Sequence, residues 1–137
     1  MFIQNMEREI KINSIPENLR EVEKLIDEIS VQYSLESDMY GKVLIASIEA
    51  VNNSIVHGNK SNPNKIVAIG VENNNEKLRI LIKDEGAGFD YDHIPDPTAP
   101  ENIENIHGRG VFLMNHLSDE VNFLDNGAGV ELIFNIV

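Results

Sequence analysis

Residues 49–59 read Glu-Ala-Val-Asn-Asn-Ser-Ile-Val-His-Gly-Asn. Three polar residues in this stretch, Glu49, Asn53 and His57, are four positions apart, so they would share one face of an α-helix. Most of their neighbours are apolar, and a carboxylate or amide among apolar side chains must form hydrogen bonds, bind an ion or point into solvent. From periodicity alone, an exposed polar stripe is the simpler interpretation and a binding site is the alternative.

The chemistry of these side chains suits the binding-site alternative. The side-chain oxygen of Asn53 could ligate Mg²⁺, a hard cation that takes oxygen ligands together with phosphates. Glu49, one helical turn earlier, could accept a proton from an attacking hydroxyl group or water. His57 alone is better explained by packing or by capping of the helix end.

Two glycine-containing segments follow this helix in the chain. The first, Asp84-x-Gly86-x-Gly88, comes directly after a predicted strand. Its glycines allow the backbone to turn sharply and to approach a flat ligand. Its carboxylate could accept a hydrogen bond from an amino group such as that of adenine. A simple turn is the other interpretation, because Asp and Gly dominate turns.

The second segment, Gly-Arg-Gly at residues 108–110, opens a predicted short helix. The free N–H groups at a helix N-terminus favour phosphate, and Arg109 adds positive charge. The segment is not a Walker A loop, which needs Gly-Lys-Ser/Thr. It is not a dinucleotide-binding fingerprint either, because it lacks the third glycine and an acidic partner on a second strand.

The periodicity outward from these segments predicts a strand, two helices, two strands, a long loop, a helix and two strands. Strands are predicted at residues 7–12, 66–71, 78–83, 121–124 and 130–137, and Asn126-Gly127 is predicted to form the hairpin turn between the last two. One helix begins within 14–17 and runs to 33, and others span 37–57 and 110–117, with a short helical piece at 101–105. Gly58 is expected to end the second helix in a left-handed conformation. This order predicts an α/β domain, an α+β two-layer sandwich with a mixed, mostly antiparallel sheet and helices on one face.

The composition restricts the classes of function. The 137 residues suit one domain spanning 1–137. The absence of cysteine excludes disulfides and thiolate metal sites. A net charge of −12 would repel nucleic acid and anionic membranes, and it either suits a basic protein partner or only keeps the domain soluble. The N-terminus lacks the features of a signal peptide, and no apolar stretch approaches the ~20 residues of a membrane helix, so we expect a cytoplasmic protein.

The order and spacing of the three segments resemble the GHKL (Bergerat-fold) ATP-binding domains, and within them the stand-alone anti-sigma-factor serine/threonine kinases. Residues 49–59 are similar to the N box of that family, and Asp-Glu-Gly-Ala-Gly-Phe-Asp at 84–90 to its G1 box. Gly-Arg-Gly-Val-Phe-Leu-Met at 108–114, followed by Asp-Glu-Val at 119–121, resembles its G2 box. Pro-Asp-Pro-Thr-Ala-Pro-Glu-Asn at 95–102 looks like a lid over the nucleotide.

The resemblance implies ATP and Mg²⁺ as cofactors, with Glu49 as the general base. The positions it implies for binding fall within the three boxes: Asn53, His57, Asp84, Gly86, Gly88, Gly108, Arg109, Gly110 and Val111. Among them, Asn53 is the implied Mg²⁺ ligand and Asp84 the acceptor for the adenine amino group. The glycines of the G1 box are implied to shape the adenine pocket, and residues 108–110 to lie at the phosphates.

The resemblance also implies an activity and partners. Such a kinase would bind a sigma factor or a similar regulator in one state, and in the other it would phosphorylate a serine on a small antagonist protein. It would bind no nucleic acid directly, and it could form a homodimer through the first helix or the strand at residues 7–13. The main alternative is a non-catalytic, nucleotide-dependent binding module, because Asn-Ile-His at 105–107 lacks an arginine that some relatives carry there. A detached histidine kinase domain is disfavoured because no dimerisation helix carries a phosphoacceptor histidine.

Overall fold

The computed structural model describes residues 6–74, 76–87 and 106–136, and the side chains of residues 106–108 are outside this description. Gly88, the predicted helical piece at 101–105 and the lid-like residues 95–102 also lie outside the described residues. None of the helices within the described ranges is long and apolar enough to cross a membrane.

The described chain alternates between strands and helices in the predicted order. The strands are β1 (Arg8–Asn13), β2 (Ile66–Asn73), β3 (Lys77–Lys83), β4 (Glu120–Leu124) and β5 (Gly129–Asn135). The α-helices are α1 (Leu19–Gln32), α2 (Ser37–Asn53) and α3 (Ile106–Leu117). Short helical turns occupy Pro16–Asn18, Asp125–Gly127 and, as a π-helix, Ser54–Gly58. The predicted strands and helices in these ranges are confirmed, with bounds that differ by a few residues.

The sheet has five strands in the order β1-β2-β3-β5-β4. Every pairing among the described strands is antiparallel, so the sheet is not mixed in this part of the chain. Two of the four pairings are hairpins, which are antiparallel by necessity. The predicted turn at Asn126 is confirmed as the β4–β5 connection, where Asp125, Asn126 and Gly127 all have positive φ.

The core lies on one face of this sheet. The register places Ile69 opposite Ile82 and Ile80 opposite Leu132, and all four side chains are fully buried. The same apolar cluster contains residues from all three α-helices: Val22, Ile26, Ile29, Val43, Ala50, Val51, Val111 and Met114. The helices therefore cover this face, which confirms the predicted two-layer α/β class. The other face carries cross-strand ion pairs such as Arg79 with Glu131.

The second predicted helix changes its geometry before it ends. Its α-helical part stops at Asn53, and a π-helix continues over Ser54–Gly58. The Asn59 N–H donates to the Ser54 carbonyl oxygen at 2.8 Å, one residue farther back than an α-helical hydrogen bond. Gly58 does not take the predicted left-handed conformation, because the chain reverses later, at Lys60 and Ser61, each with a φ of 55°.

Candidate functional site

The polar face of α2 meets α3 at Gly110. A methyl group built on Gly110 would lie 3.1 Å from Oδ1 of Asn53 and 3.2 Å from Oε2 of Glu49, so the bare backbone permits the close approach of the two helices. Asn53 is only 8% exposed, which contradicts the exposed-stripe interpretation for that residue, while Glu49 is half-buried. The structure therefore brings the predicted carboxylate and amide together beside the predicted glycine segment.

The first turn of α3 begins earlier than predicted. The described part of α3 begins at Ile106, so Gly108 and Gly110 lie inside the helix rather than before it. Gly110 contributes the close contact with α2. Arg109 is exposed, whereas Val111 packs in the core with 4% exposure.

Asp84 comes directly after β3 and is buried, with 5% exposure. The Gly86 N–H donates to its Oδ1 at 2.7 Å, and the Ser54 side chain also forms a hydrogen bond with this carboxyl. Burial raises the pKa of the Asp84 carboxyl, and the hydrogen bonds and the nearby Lys83 and Lys65 oppose that rise. An ionised carboxyl has lone pairs beyond those used here and can accept a hydrogen bond from an amino group.

The π-helix brings Gly58 against this carboxyl. A methyl group on Gly58 would lie 2.2 Å from Oδ2 of Asp84, and one on Gly86 would lie 2.2 Å from the carbonyl oxygen of Gly58. Neither position can hold a side chain without displacement of its neighbours. The interlocking of Gly58, Asp84 and Gly86 therefore fixes the wall of the site at the end of β3.

A cleft that is partly open to solvent lies between these elements. Its lining comes from α2, the π-helix, the turn after β3, α3 and the β4–β5 hairpin: Ala50, Asn53, Ser54, His57, Gly58, Asp84, Met114, Phe123, Gly127, Gly129 and Val130. Sequence reasoning missed Met114, Phe123 and Val130, because each reads as an ordinary core residue. It interpreted Asn126-Gly127 only as a hairpin turn, although the turn also forms part of this wall.

Comparison with known proteins identifies the family. A family model for the histidine kinase-like ATPase domain matches residues 12–136 of the chain. The chain belongs to this family. The match includes the polar face of α2, the turn after β3 and α3, so the histidine kinase-like domain contains the whole cleft.

The relatives of this histidine kinase-like domain include serine kinases. The serine-protein kinase RsbW of Staphylococcus aureus is 39% identical over 84 residues, which cover 56% of this chain and 53% of the relative. The chain thus spans about half the length of the curated relatives it matches.

Solved structures share the fold at low identity. The RsbU and RsbW domains of Rv1364c from Mycobacterium tuberculosis superpose with a TM-score of 0.61 at 14% identity, covering 94% of this chain and 32% of that chain. The histidine kinase domain of EL346, a blue-light activated histidine kinase from Erythrobacter litoralis, gives a TM-score of 0.51 at 19% identity, covering 88% of this chain and 59% of that chain. At these identities the likeness shows the fold alone.

The side chains in the cleft of this ATPase-family domain fit a Mg²⁺–nucleotide. Nδ2 of Asn53 is buried and has no hydrogen-bond partner among the described residues, and a phosphate or other ligand oxygen could supply one. Among the described residues, no group of three or more His, Cys, Asp or Glu could hold a metal ion by itself. Mg²⁺ does not require such a group, because it usually keeps several waters and binds one or two protein oxygens together with substrate phosphates.

His57 lines the cleft beside Asp84 and Gly58. Burial, with a smaller effect from Lys60, lowers the pKa of His57, so the imidazole is neutral at pH 7. A neutral imidazole adds no positive charge to this wall of the cleft.

Proposed function

We propose that this domain binds ATP with Mg²⁺ in the α2–α3 cleft. The convergence of Glu49 and Asn53 with Gly110 at one end, and the buried Asp84 at the other, carries the proposal. Asp84 accepts a hydrogen bond from the adenine amino group, with Gly58 and Gly86 shaping the pocket, and Gly88 is assigned there from its place in the sequence motif. Asn53 holds Mg²⁺, and the N–H groups at the start of α3, together with Arg109, bind the phosphates. His57 and Val111 support the wall and the packing of α3.

We further propose that the domain is a serine/threonine protein kinase. Glu49 lies one helical turn from Asn53, so its carboxylate could accept the proton of a serine hydroxyl group as that oxygen bonds to the γ-phosphorus and the bond from the phosphorus to the departing ADP oxygen breaks. Bound Mg²⁺ would supply charge neutralisation across the phosphates. Catalysis otherwise depends on how the chain positions the reacting groups. The buried Asn53 and the close contact between α2 and α3 support such positioning.

The partners proposed are proteins. The RsbW relative is named a serine-protein kinase, and the sequence boxes resemble anti-sigma-factor kinases, so a sigma factor or similar regulator and a small antagonist protein are the proposed partners. Phosphorylation of a serine on the antagonist would add negative charge opposite an already acidic domain and break that complex. We propose that the protein acts in the cytoplasm, with no direct contact to nucleic acid or membrane. Among the described strands β1 lies at an edge of the sheet, and its outer backbone groups could pair two copies.

The proposal has a direct test. Calorimetry with ATP, with and without Mg²⁺, measures binding. Incubation with γ-labelled ATP and an antagonist protein captured in the presence of ADP measures transfer to serine. Label on a serine of the antagonist with the native domain, and its loss with Glu49→Gln, are the expected results. A domain that binds Mg²⁺–ATP but transfers no label would instead be a nucleotide-dependent binding module. That second candidate is favoured by one feature, the lack of an arginine at residues 105–107.

A further inference from the structure

Asn59, the residue after the π-helix, is fully buried and joins three separate segments. Its Nδ2 donates to Oγ of Ser14 at 2.8 Å and to the carbonyl oxygen of Ile66 at 3.0 Å. Its Oδ1 accepts the N–H of Glu85 at 2.8 Å. The end of β1, the start of β2 and the turn after β3 therefore meet at one amide side chain.

The orientation of this amide is determined by its partners. The Glu85 N–H can only donate and the Ile66 carbonyl can only accept, so exchange of Oδ1 and Nδ2 would break both bonds. The Ser14 hydroxyl donates to the Lys65 carbonyl oxygen at 2.8 Å and is thereby left to accept from Asn59. A side chain with other donors and acceptors at position 59 could not make the same three contacts.

The bond from Asn59 to Glu85 acts on the Asp84–Gly86 turn, because Glu85 lies between those two residues. Oε2 of Glu85 in turn accepts the Ile66 N–H at 2.5 Å, which ties the turn to β2 a second time. Gly58, directly before Asn59, touches the Asp84 carboxyl itself. Two consecutive residues thus hold the turn at two points, one at the carboxyl and one at the next backbone N–H.

We propose that Asn59 is a positioning residue that fixes the Asp84 carboxyl for recognition of a 6-amino group on the purine. The inference rests on the proposed function, in which Asp84 accepts the adenine amino group. Asn59 acts through the Glu85 N–H, since its side chain is fully buried and is not among the residues that line the cleft. Its bonds to Ser14 and Ile66 stabilise the domain, whereas its bond to Glu85 determines base selectivity.

The test compares the affinities of ATP and of purine riboside triphosphate, which lacks the 6-amino group, by calorimetry with Mg²⁺. The native domain is expected to prefer ATP by about tenfold or more, as a hydrogen bond to a charged group would give. Asn59→Leu, of similar shape but without hydrogen-bonding atoms, is expected to reduce that preference to about twofold or less. Asn59→Asp keeps an acceptor for Glu85 and is expected to retain most of the preference, although it places an oxygen against the Ile66 carbonyl. Thermal unfolding is measured on every variant.

Ser14→Ala is the matched control, because it removes one partner of the Asn59 amide and leaves the bond to Glu85. Lower thermal stability with an unchanged ATP preference is expected for it. The inference is overturned if Asn59→Leu keeps the native preference, or if Ser14→Ala loses it as Asn59→Leu does. If Asn59→Leu does not fold, the result with Asn59→Asp tests the inference instead. A purely structural role of Asn59 predicts that the ATP preference of Asn59→Asp falls together with its thermal stability. A native domain that does not bind ATP, or shows no preference for it, would count against the proposed nucleotide site itself.

Discussion

Gly58 and Asp84 are packed so tightly that the missing side chain of Gly58 provides the space for the Asp84 carboxyl. Oδ2 and Oδ1 of Asp84 lie 2.2 Å and 2.7 Å from the position that a Gly58 methyl group would take. The carboxyl is buried and held by the Gly86 N–H, so it cannot simply rotate away. The geometry of the proposed adenine pocket therefore depends on a glycine in the preceding helical segment.

Gly58→Ala is expected to weaken ATP binding by about tenfold or more, because it displaces the Asp84 carboxyl from the cleft. It should also reduce the free energy of unfolding by about 1–3 kcal/mol through overpacking. Calorimetry and chemical denaturation measure the two effects. Gly41→Ala in α2 is the matched control, since a methyl group there meets nothing within 4 Å. It should leave binding unchanged and stabilise the helix by about 1 kcal/mol. Native ATP affinity in Gly58→Ala would contradict the assignment.

Asp84→Asn is expected to stabilise the nucleotide-free domain at pH 7 while it weakens ATP binding. Burial raises the folded-state pKa of Asp84 above its unfolded value, so ionisation opposes folding. The contribution of Asp84 to stability is therefore present below the unfolded pKa and is lost as the pH rises through the folded pKa. The difference in melting temperature between Asp84→Asn and the native domain should be largest at pH 7 and shrink toward pH 4. A difference in melting temperature that grows toward acidic pH would show that folding lowers the pKa of Asp84 instead of raising it.

Gly110→Ala is expected to separate binding from stability. The added methyl group would crowd Oδ1 of Asn53 and Oε2 of Glu49 at 3.1 Å and 3.2 Å, so Mg²⁺–ATP affinity should fall by about three- to tenfold. The free energy of unfolding should change by less than about 1 kcal/mol, because the helix propensity of alanine offsets the crowding. Titration with ATP in the presence and absence of Mg²⁺ tests this, and an equal loss in both conditions would argue against an effect at the cation.

Asn53→Ala and Glu49→Gln should affect different steps. Asn53→Ala is expected to abolish the Mg²⁺-dependent part of ATP binding, because it removes the proposed cation ligand. Glu49→Gln should bind ATP within about twofold of the native domain and lower the rate of serine phosphorylation by about 10²–10⁴-fold. Calorimetry and single-turnover transfer of labelled phosphate measure the two properties. Unchanged Mg²⁺-dependent affinity in Asn53→Ala would remove that residue from the metal site.

Much of the site could be predicted from spacing. The four-residue interval between Glu49 and Asn53 requires only helical geometry, and in the structure both lie on the face of α2 that is beside Gly110. The strands were likewise predicted within a few residues of their observed bounds, because apolar and β-branched runs bounded by turn residues identify a strand locally. Sequence periodicity was sufficient to predict a feature wherever that feature depended on a single helix or strand.

Contacts between distant segments could not be predicted in this way. The role of Gly58 depends on a carboxyl at Asp84, and that of Asn59 on Ser14, Ile66 and Glu85. The periodicity of residues 37–57 shows no break, so the change to π-helical hydrogen bonding had no local signal. These features arise when the sheet and helix pack together, and only the tertiary structure reveals them.

The π-helix makes the site sensitive to chain length as well as to residue type. Removal of one residue from Ser54–Gly58 would change the amino-acid composition very little, and it would let the α-helical hydrogen bonds continue without interruption. It would also rotate every following residue by about 100° around the helix axis and shift it by about 1.5 Å. Gly58 would then no longer face Asp84, nor Asn59 the turn after β3. In protein engineering of this domain, substitutions on the outer surface of this segment should be tolerated, while single-residue insertions and deletions should not.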